Sequence, residues 1–268
     1  MMPRIETLPA VLCIGGHDPS GGAGIMADAE AVRAAGAFAL TVVTALTDQD
    51  TCGLRQVFPQ PPDRLEAQGL ALIADGAPRA IKIGLIGDAR LVPVLCTLID
   101  ACPGLPVVLD PVLASGAGQR VADEAMLGRL RRDLLPRTTL CTPNLPEART
   151  LADALAPAEC ARRLQQAGVP WVLITGTHDS APQVVNRLYG PEDSEQALTW
   201  PRLPGEYHGS GCTLASAIAA RLALGLPITE AVAAAQTYTW TSLERARRTG
   251  RCQLTPDRLF ALPGAEGP

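Results

Sequence analysis

The chain has 268 residues, of which 47% are hydrophobic and 19% charged, so it holds enough apolar material for a large core and is not a disordered chain. Its 23 basic and 27 acidic side chains give a formal net charge of −4, which argues against binding to nucleic acid or to an anionic membrane surface. The first residues lack a basic segment followed by a long apolar run, and we therefore expect a cytoplasmic protein.

Short apolar runs alternate with helical stretches along most of the sequence. A strand is predicted over residues 11–14, followed by a glycine-rich turn and a helix over residues 25–35. Later strands are predicted over residues 40–44, 80–83, 106–109, 138–142 and 171–174, and helices over residues 88–100, 123–134 and 146–167. Apolar strands separated by helices favour a mostly parallel sheet covered on both faces. We therefore predict an α/β fold in one domain spanning residues 1–268.

The pattern changes near residue 183. Residues 184–189 and 196–200 flank the turn signal at 190–193, which predicts an antiparallel β-hairpin at the sheet edge. Two helices are predicted after it, over residues 212–224 and 229–247.

The eight cysteines form no C-x-x-C pair and lack the spacing of a zinc site. Because no export signal is visible, we expect reduced thiols.

Small residues, including Gly209, Ser210, Gly211 and Cys212, precede an alanine-rich helix. Free N–H groups at a helix start, together with the helix dipole, form an anion site. A transferring phosphoryl group spreads its charge over its oxygens, so this arrangement favours phosphoryl transfer. The same position predicts a lowered pKa for the Cys212 thiol. A close-packed helix start is the alternative interpretation.

Several polar residues follow predicted strands. The glycine-rich turn 15–24 lacks the P-loop pattern, and Asp28 on the next helix is expected to face the same crevice, with a cap or surface charge as the alternative. Asp110, Asn144 and Glu147 follow later strands, where carboxylates can hold Mg²⁺. Turn formation explains each of them singly. Together, at one sheet edge, they favour a magnesium–nucleotide site.

These motifs, in this order, resemble the hydroxymethylpyrimidine/phosphomethylpyrimidine kinases of the ribokinase-like superfamily. The stretches that carry the resemblance are residues 16–28, 43–51, 82–85, 108–112, 142–147 and 208–213. The resemblance implies a three-layer ribokinase-like fold and a homodimer. It also implies two successive transfers from MgATP to 4-amino-5-hydroxymethyl-2-methylpyrimidine, in thiamine biosynthesis.

The resemblance also implies roles for particular residues. The positions of the pyrimidine pocket correspond to Gly16, Asp28, Gln49, Leu85 and Val112. Cys212 matches the family's proposed base, beside the anion site formed by Gly209, Ser210 and Gly211. Asn144, Thr175 and Gly176 correspond to the ATP site, and Asp110 and Glu147 to the Mg²⁺ site.

One departure from the family pattern bears on the substrate. Thr175 stands where many of these kinases have lysine, and in this respect the chain is similar to pyridoxal kinases. A pyridoxal or pyridoxine kinase is therefore an alternative, as is a non-catalytic pyrimidine-binding protein on the same fold. The partial glycine fingerprint disfavours a dinucleotide oxidoreductase.

Overall fold

A computed structural model of the protein describes residues 7–114, 118–119, 121–176 and 181–261. Its strands are Ala10–His17 (β1), Phe38–Asp50 (β2), Gly53–Pro59 (β3), Ala80–Ile83 (β4), Val107–Leu109 (β5), Leu140–Cys141 (β6), Trp171–Ile174 (β7), Gln183–Tyr189 (β8) and Glu195–Pro201 (β9). Its α-helices are Gly24–Ala34 (α1), Pro62–Gly76 (α2), Val92–Asp100 (α3), Glu124–Arg129 (α4), Leu145–Ala152 (α5), Pro157–Gln166 (α6), Ser210–Ala223 (α7) and Ile228–Glu244 (α8).

The strands form one sheet in the order β3–β2–β1–β4–β5–β6–β7–β8–β9. The six strands from β2 to β7 in this order run parallel to one another. The strands β3, β8 and β9 are antiparallel to their neighbours, and β8 and β9 form the predicted edge hairpin. The predicted α/β fold with a mostly parallel sheet is therefore confirmed.

Helices cover both faces of the sheet because side chains alternate along the central strands. In β1, Leu12 and Ile14 belong to the apolar cluster that includes buried residues of α2 to α6. Val11 and Cys13 point the other way and pack with α1, α7 and α8. The continuous apolar run of this strand thus reflects burial on two sides.

The segment between β2 and β4 differs most from the sequence expectations. The predicted strand over residues 40–44 is part of a longer strand, β2, whose polar second half pairs with β3. Neither β3 nor α2 is indicated by an apolar run, since α2 buries only Leu65 and Gly69. A Cβ at Gly69 would lie 2.5 Å from Leu98 Cδ1, so glycine lets α2 approach α3 closely.

The expectation that all cysteines are reduced is wrong for one pair. Cys52, in the turn between β2 and β3, forms a disulfide with Cys252, 200 residues later. Thr51 brings the two segments together, because its carbonyl accepts a hydrogen bond from Gln253 N at 3.1 Å. The pairing depends on tertiary contacts that the cysteine spacing does not show.

We find no helix in the described part of the chain with the length and apolarity needed to cross a membrane.

Candidate active site

The start of α7 lies at the edge where the parallel strands end. Gly209 adopts a left-handed φ of 76°, and a Cβ there would collide with the Gly22 carbonyl oxygen, so the turn into the helix requires glycine. The N–H groups of Ser210, Gly211 and Cys212 have no hydrogen-bond acceptor among the described residues. None of these three residues is fully buried. The helix start therefore presents free donors, as an anion site requires.

Asp110, which follows β5, lies beside these donors. A Cβ on Gly211 would be 3.7 Å from both carboxylate oxygens of Asp110. The Asp110 side chain is buried, and this burial raises its pKa, whereas the Lys82 ammonium acts in the opposite direction. The glycine at position 211 thus leaves space between the helix start and a carboxylate.

The Cys212 thiol differs from the sequence expectation. Burial raises its pKa to about 12, even though the Lys82 ammonium lowers it. The carboxylates of Asp110 and Asp28 add to the increase. The expected lowering of the Cys212 pKa is therefore wrong for the unliganded protein, because desolvation and two carboxylates raise the pKa by more than the Lys82 ammonium lowers it.

Asp28 lies beneath the strand ends and is not exposed to solvent in the unliganded structure. Its side chain is fully buried in α1, where Oδ1 lies 2.7 Å from Lys82 Nζ and accepts a hydrogen bond from Ser216 Oγ at 2.7 Å. Burial alone would lower the Lys82 pKa, but neighbouring negative groups, Asp28 first among them, raise it. A Cβ at Gly84 would lie 2.7 Å from Lys82 Nζ, so this ion pair supports the floor of the site beneath the strand ends.

Three of the other residues predicted to bind the pyrimidine, Gly16, Leu85 and Gln49, contact one another or the glycine-rich turn. A Cβ on Gly16 would be 2.7 Å from Leu85 Cδ2, which places these two residues in direct contact. Gln49 Nε2 donates to Thr47 Oγ1 at 2.7 Å, and this hydroxyl donates to the His17 carbonyl at 2.9 Å. The Gln49 side chain is therefore connected to the glycine-rich turn.

Two adjoining cavities lie next to these residues. The smaller is lined by Val112 and Gly84, among others. The larger, of about 530 Å³, opens between the loop after β4 and the segment before α4, and both include Gly87 and Met126. The larger cavity contains none of the predicted pyrimidine residues, so it extends the site rather than defining it.

Asn144 and Glu147 form a capping box at the start of α5. Asn144 Oδ1 accepts from Glu147 N at 2.9 Å, and Glu147 Oε2 accepts from Asn144 N at 3.0 Å. Burial and the Asp110 carboxylate raise the pKa of Glu147 to about 8. The turn that the sequence indicated is therefore present, and it also fixes the Glu147 carboxylate near Asp110, as a metal site would require.

The residues present fit Mg²⁺. Across the described ranges, no three His, Cys, Asp or Glu side chains are grouped to hold a metal ion. Mg²⁺ needs fewer, since it binds through one or two carboxylates together with water and substrate phosphates. Asp110 and Glu147 can each offer carboxylate oxygens as metal ligands. Their negative charges repel each other, and a bound cation would relieve this repulsion.

The predicted ATP residues meet at the next strand ends. Thr175 bridges to Asn144, and its N–H donates to the Pro143 carbonyl at 3.0 Å. Gly176 N donates to Asn186 Oδ1 at 3.0 Å, and a Cβ at Gly176 would collide with the Val185 carbonyl. The structure thus brings Asn144, Thr175 and Gly176 to one place.

The sequence analysis gave no role to several buried polar and charged residues around the site. The sequence does indicate a partner for Lys82, because burying an unpaired charge in an apolar strand costs much folding free energy. His208 and Asp18 form a contact of 2.7 Å between Nε2 and Oδ2, across 190 residues of sequence. The buried Arg258 had no sequence signal, because its partners come from three distant segments.

Comparison with known proteins identifies the relatives of this chain. The sequence model of the phosphomethylpyrimidine kinase family matches residues 18–256. The hydroxymethylpyrimidine/phosphomethylpyrimidine kinase of Mycobacterium tuberculosis is 37% identical over 270 residues, which covers 98% of this chain and 98% of that protein.

Solved structures agree with this comparison. The pyridoxal kinase of Staphylococcus aureus, in complex with ADP, has a TM-score of 0.86 at 27% identity and covers 94% of each chain. The phosphomethylpyrimidine kinase of Clostridium difficile has a TM-score of 0.76 at 31% identity, over 87% of this chain and 98% of that chain. The resemblance and the ribokinase-like fold predicted from the sequence are confirmed. The chain belongs to the phosphomethylpyrimidine kinase family.

Proposed function

We propose that this protein transfers phosphate from ATP to 4-amino-5-hydroxymethyl-2-methylpyrimidine, and then to its monophosphate, in thiamine biosynthesis. The observation that carries the proposal is the set of three free amides at the start of α7, beside Asp110. The relative of 37% identity is named for both pyrimidine substrates and spans nearly the whole chain. The geometry of the site and the name of this relative therefore both support phosphoryl transfer.

The residues of the site have separate roles in the proposed reaction. The amides of Ser210, Gly211 and Cys212 hold the charge that develops on the transferred phosphoryl group. Cys212 is the group placed to take the hydroxymethyl proton, and it does so as the thiolate, which the Lys82 ammonium stabilises, after the thiol has released its own proton to solvent. Asp110 and Glu147 would hold Mg²⁺, which would supply positive charge against the phosphate oxygens of ATP.

Substrate and nucleotide occupy opposite sides of this centre. Gly16, Leu85 and Val112 form the apolar wall for the pyrimidine, and Gln49 offers it both a donor and an acceptor. Asp28 supports this pocket from below. On the other side, Asn144, Thr175 and Gly176 bind ATP.

The test is an assay of phosphates added. The protein is incubated with MgATP and the hydroxymethylpyrimidine, its monophosphate or pyridoxal, and the products are identified by mass spectrometry. We expect a monophosphate and then a diphosphate of the pyrimidine. Absence of product with all three substrates would favour the non-catalytic alternative.

The role of Cys212 is tested with the Cys212→Ala variant. We expect a normally folded protein whose turnover falls by about 10²–10⁴-fold, the usual contribution of a general base. Circular dichroism checks the fold. Turnover close to that of the unchanged protein would remove Cys212 from the mechanism.

Pyridoxal phosphorylation is a second candidate activity. It is favoured by the overlap with the S. aureus pyridoxal kinase, at a TM-score of 0.86, and by Thr175. The ratio of kcat/KM values for pyridoxal and the hydroxymethylpyrimidine in the same assay decides between them. A ratio above one would make pyridoxal the principal substrate.

We propose that the protein acts as a single kinase domain and as a cytoplasmic homodimer. Leu46 and Phe58 are cross-strand partners on β2 and β3, and they are 49% and 46% exposed. We propose this exposed apolar pair as the centre of the contact between the two copies. Sedimentation velocity should show a dimer, and Phe58→Arg should yield a monomer. Leu155→Arg, at an isolated residue that is 78% exposed, is the control.

A further inference from the structure

The turn after β1 and the turn before α7 touch through their backbones. A Cβ on Gly209 would collide with the Gly22 carbonyl oxygen and lie 2.9 Å from Ala23 Cα. These two turns carry the proposed pyrimidine side and the proposed phosphoryl side of the site. Their relative position therefore sets the distance between the two reacting groups.

Arg258 lies beneath this contact and is 1% exposed. Its Nη2 donates to the Gly22 carbonyl, and Nη1 donates to the Gly21 carbonyl at 3.4 Å. Its Nε donates to Thr213 Oγ1 at 2.8 Å, and that hydroxyl donates to the Gly209 carbonyl at 2.8 Å. One guanidinium group thus joins both turns, directly on one side and through Thr213 on the other.

The position of this charge is unusual for a helix. Cations are normally unfavourable near a helix N-terminus, because the dipole is positive there. Here Arg258 contacts the first turn of α7, and its carboxylate partner in the described part of the chain is Glu30, whose Oε2 lies 2.9 Å from Nη1. A buried cation at this place adds to the positive potential that a phosphoryl group meets at the free amides.

The backbone segment that precedes Arg258 is hydrogen-bonded to the segment that leads into the turn before α7. Leu254 N donates to the Glu206 carbonyl at 2.8 Å, and His208 N donates to the Leu254 carbonyl at 2.9 Å. Tyr238 in α8 donates through its hydroxyl to the Arg258 carbonyl at 2.8 Å. The guanidinium is therefore held by its backbone as well as by its side-chain partners.

We propose that Arg258 is a positioning residue for phosphoryl transfer, which fixes the glycine-rich turn after β1 against the amide donors at the start of α7. The proposal rests on the proposed kinase function. Arg258 touches neither substrate nor nucleotide and acts through Gly21, Gly22 and Thr213.

The test compares Arg258→Lys and Arg258→Met with the matched control Glu30→Gln. Lysine keeps the charge but loses the planar fork that reaches two carbonyls and a hydroxyl together. Because a misplacement of about 1 Å can cost about 10²-fold in rate, we expect kcat to fall by about 10- to 100-fold in both Arg258 variants. KM for ATP should change less than about threefold, since the residues proposed to bind ATP are untouched.

The control distinguishes the hydrogen bonds of Arg258 to the two turns from its ion pair with Glu30. Glu30→Gln removes the negative charge but keeps a side-chain oxygen that can accept from Nη1, and it keeps every Arg258 bond to the two turns, so kcat should stay within about twofold. Folding stability is expected to fall in this control, because Arg258 is fully buried and loses its counter-charge. A loss of folding stability in the Arg258 variants with kcat within twofold of the unchanged protein would overturn the proposal. An equal fall in kcat for Glu30→Gln would also overturn it.

A second readout does not depend on activity. Amide hydrogen exchange of residues 20–24 and 209–213 should accelerate in Arg258→Met and not in Glu30→Gln. Unchanged exchange in both segments overturns the positioning role. If the protein without substitutions shows no kinase activity but Arg258→Met still accelerates exchange, the result counts against the proposed kinase function. It would still support the role of Arg258 in fixing the two turns.

Discussion

Lys82 and Asp28 show how a buried charge supports a site without entering it. Both side chains are fully buried, and Nζ and Oδ1 are 2.7 Å apart. Asp28 Oδ2 has no hydrogen-bond partner in the described structure and lies 3.6 Å from the position of a Cβ on Gly15. Such a pair contributes little net stability, but loss of one member leaves an uncompensated charge.

We predict that Lys82→Met lowers the free energy of unfolding by about 3–5 kcal/mol, because Asp28 then remains buried without its cation. The double variant Lys82→Met/Asp28→Asn removes both charges and should be more stable than Lys82→Met alone. Urea unfolding measures both. Equal or greater destabilisation of the double variant would show that the charge of Asp28 is not the cause.

The residue scale also shows what the sequence could reveal. The lysine in an otherwise apolar strand indicates a buried partner, but Asp28 is 54 residues away and its burial depends on how α1 packs. The pKa of Cys212 was predicted from its helix alone. Its increase comes from burial and from carboxylates on other elements, so only the assembled site reveals it.

At the scale of elements, strand and helix prediction succeeded where apolar residues decide the structure. The strands β1, β4 and β7 are buried along most of their length and apolar apart from residues such as Lys82, and their positions follow from the sequence. The strand β3 and the helix α2 were missed because their stability comes from pairing with β2 and from a close contact at Gly69. These are tertiary effects that periodicity does not report.

The start of α5 has both a structural and a proposed functional role, which mutation can separate. We predict that Asn144→Ala lowers the free energy of unfolding by about 0.5–2 kcal/mol, the cost of losing an N-cap, and raises KM for ATP. The control is Asp123→Ala, since Asp123 Oδ1 caps α4 by accepting from Met126 N at 2.8 Å.

The two caps should cost similar stability, as measured by denaturant unfolding. A change in KM is expected for Asn144→Ala alone. An equal increase in KM for Asp123→Ala would assign the effect to general loosening of the fold.

At the scale of the whole molecule, the prediction of a parallel sheet placed Asp110, Asn144 and Thr175 at one edge, because parallel strands end on the same side. They are neighbours because β5, β6 and β7 are adjacent in the sheet, an order that the sequence did not predict. Contacts made by the last part of the chain were not predictable in this way. Arg258 reaches the turns of the site, and Cys252 reaches Cys52, through irregular backbone, whose path no periodic pattern encodes.

The disulfide between Cys52 and Cys252 is the longest-range covalent constraint in the described structure, because it closes a loop across a separation of 200 residues. Closing so long a loop restricts the unfolded chain strongly, and we predict that reduction lowers the free energy of unfolding by about 2–5 kcal/mol. Thr51 also holds the two segments, since its hydroxyl accepts from Cys252 N at 3.4 Å. Reduction should therefore leave kcat within about twofold at 25 °C, since unfolding remains unfavourable.

Thermal unfolding with and without a thiol reductant measures this effect, and the double variant Cys52→Ser/Cys252→Ser is the control. Reductant should lower the Tm of the unchanged protein to that of the variant and leave the variant itself unaffected. An unchanged Tm would mean that the two thiols are not joined in solution. In that case the sheet and its two helical layers would supply the stability without a covalent link, and the hydrogen bonds of Thr51 would be sufficient to keep the last segment, with Arg258, beside the site.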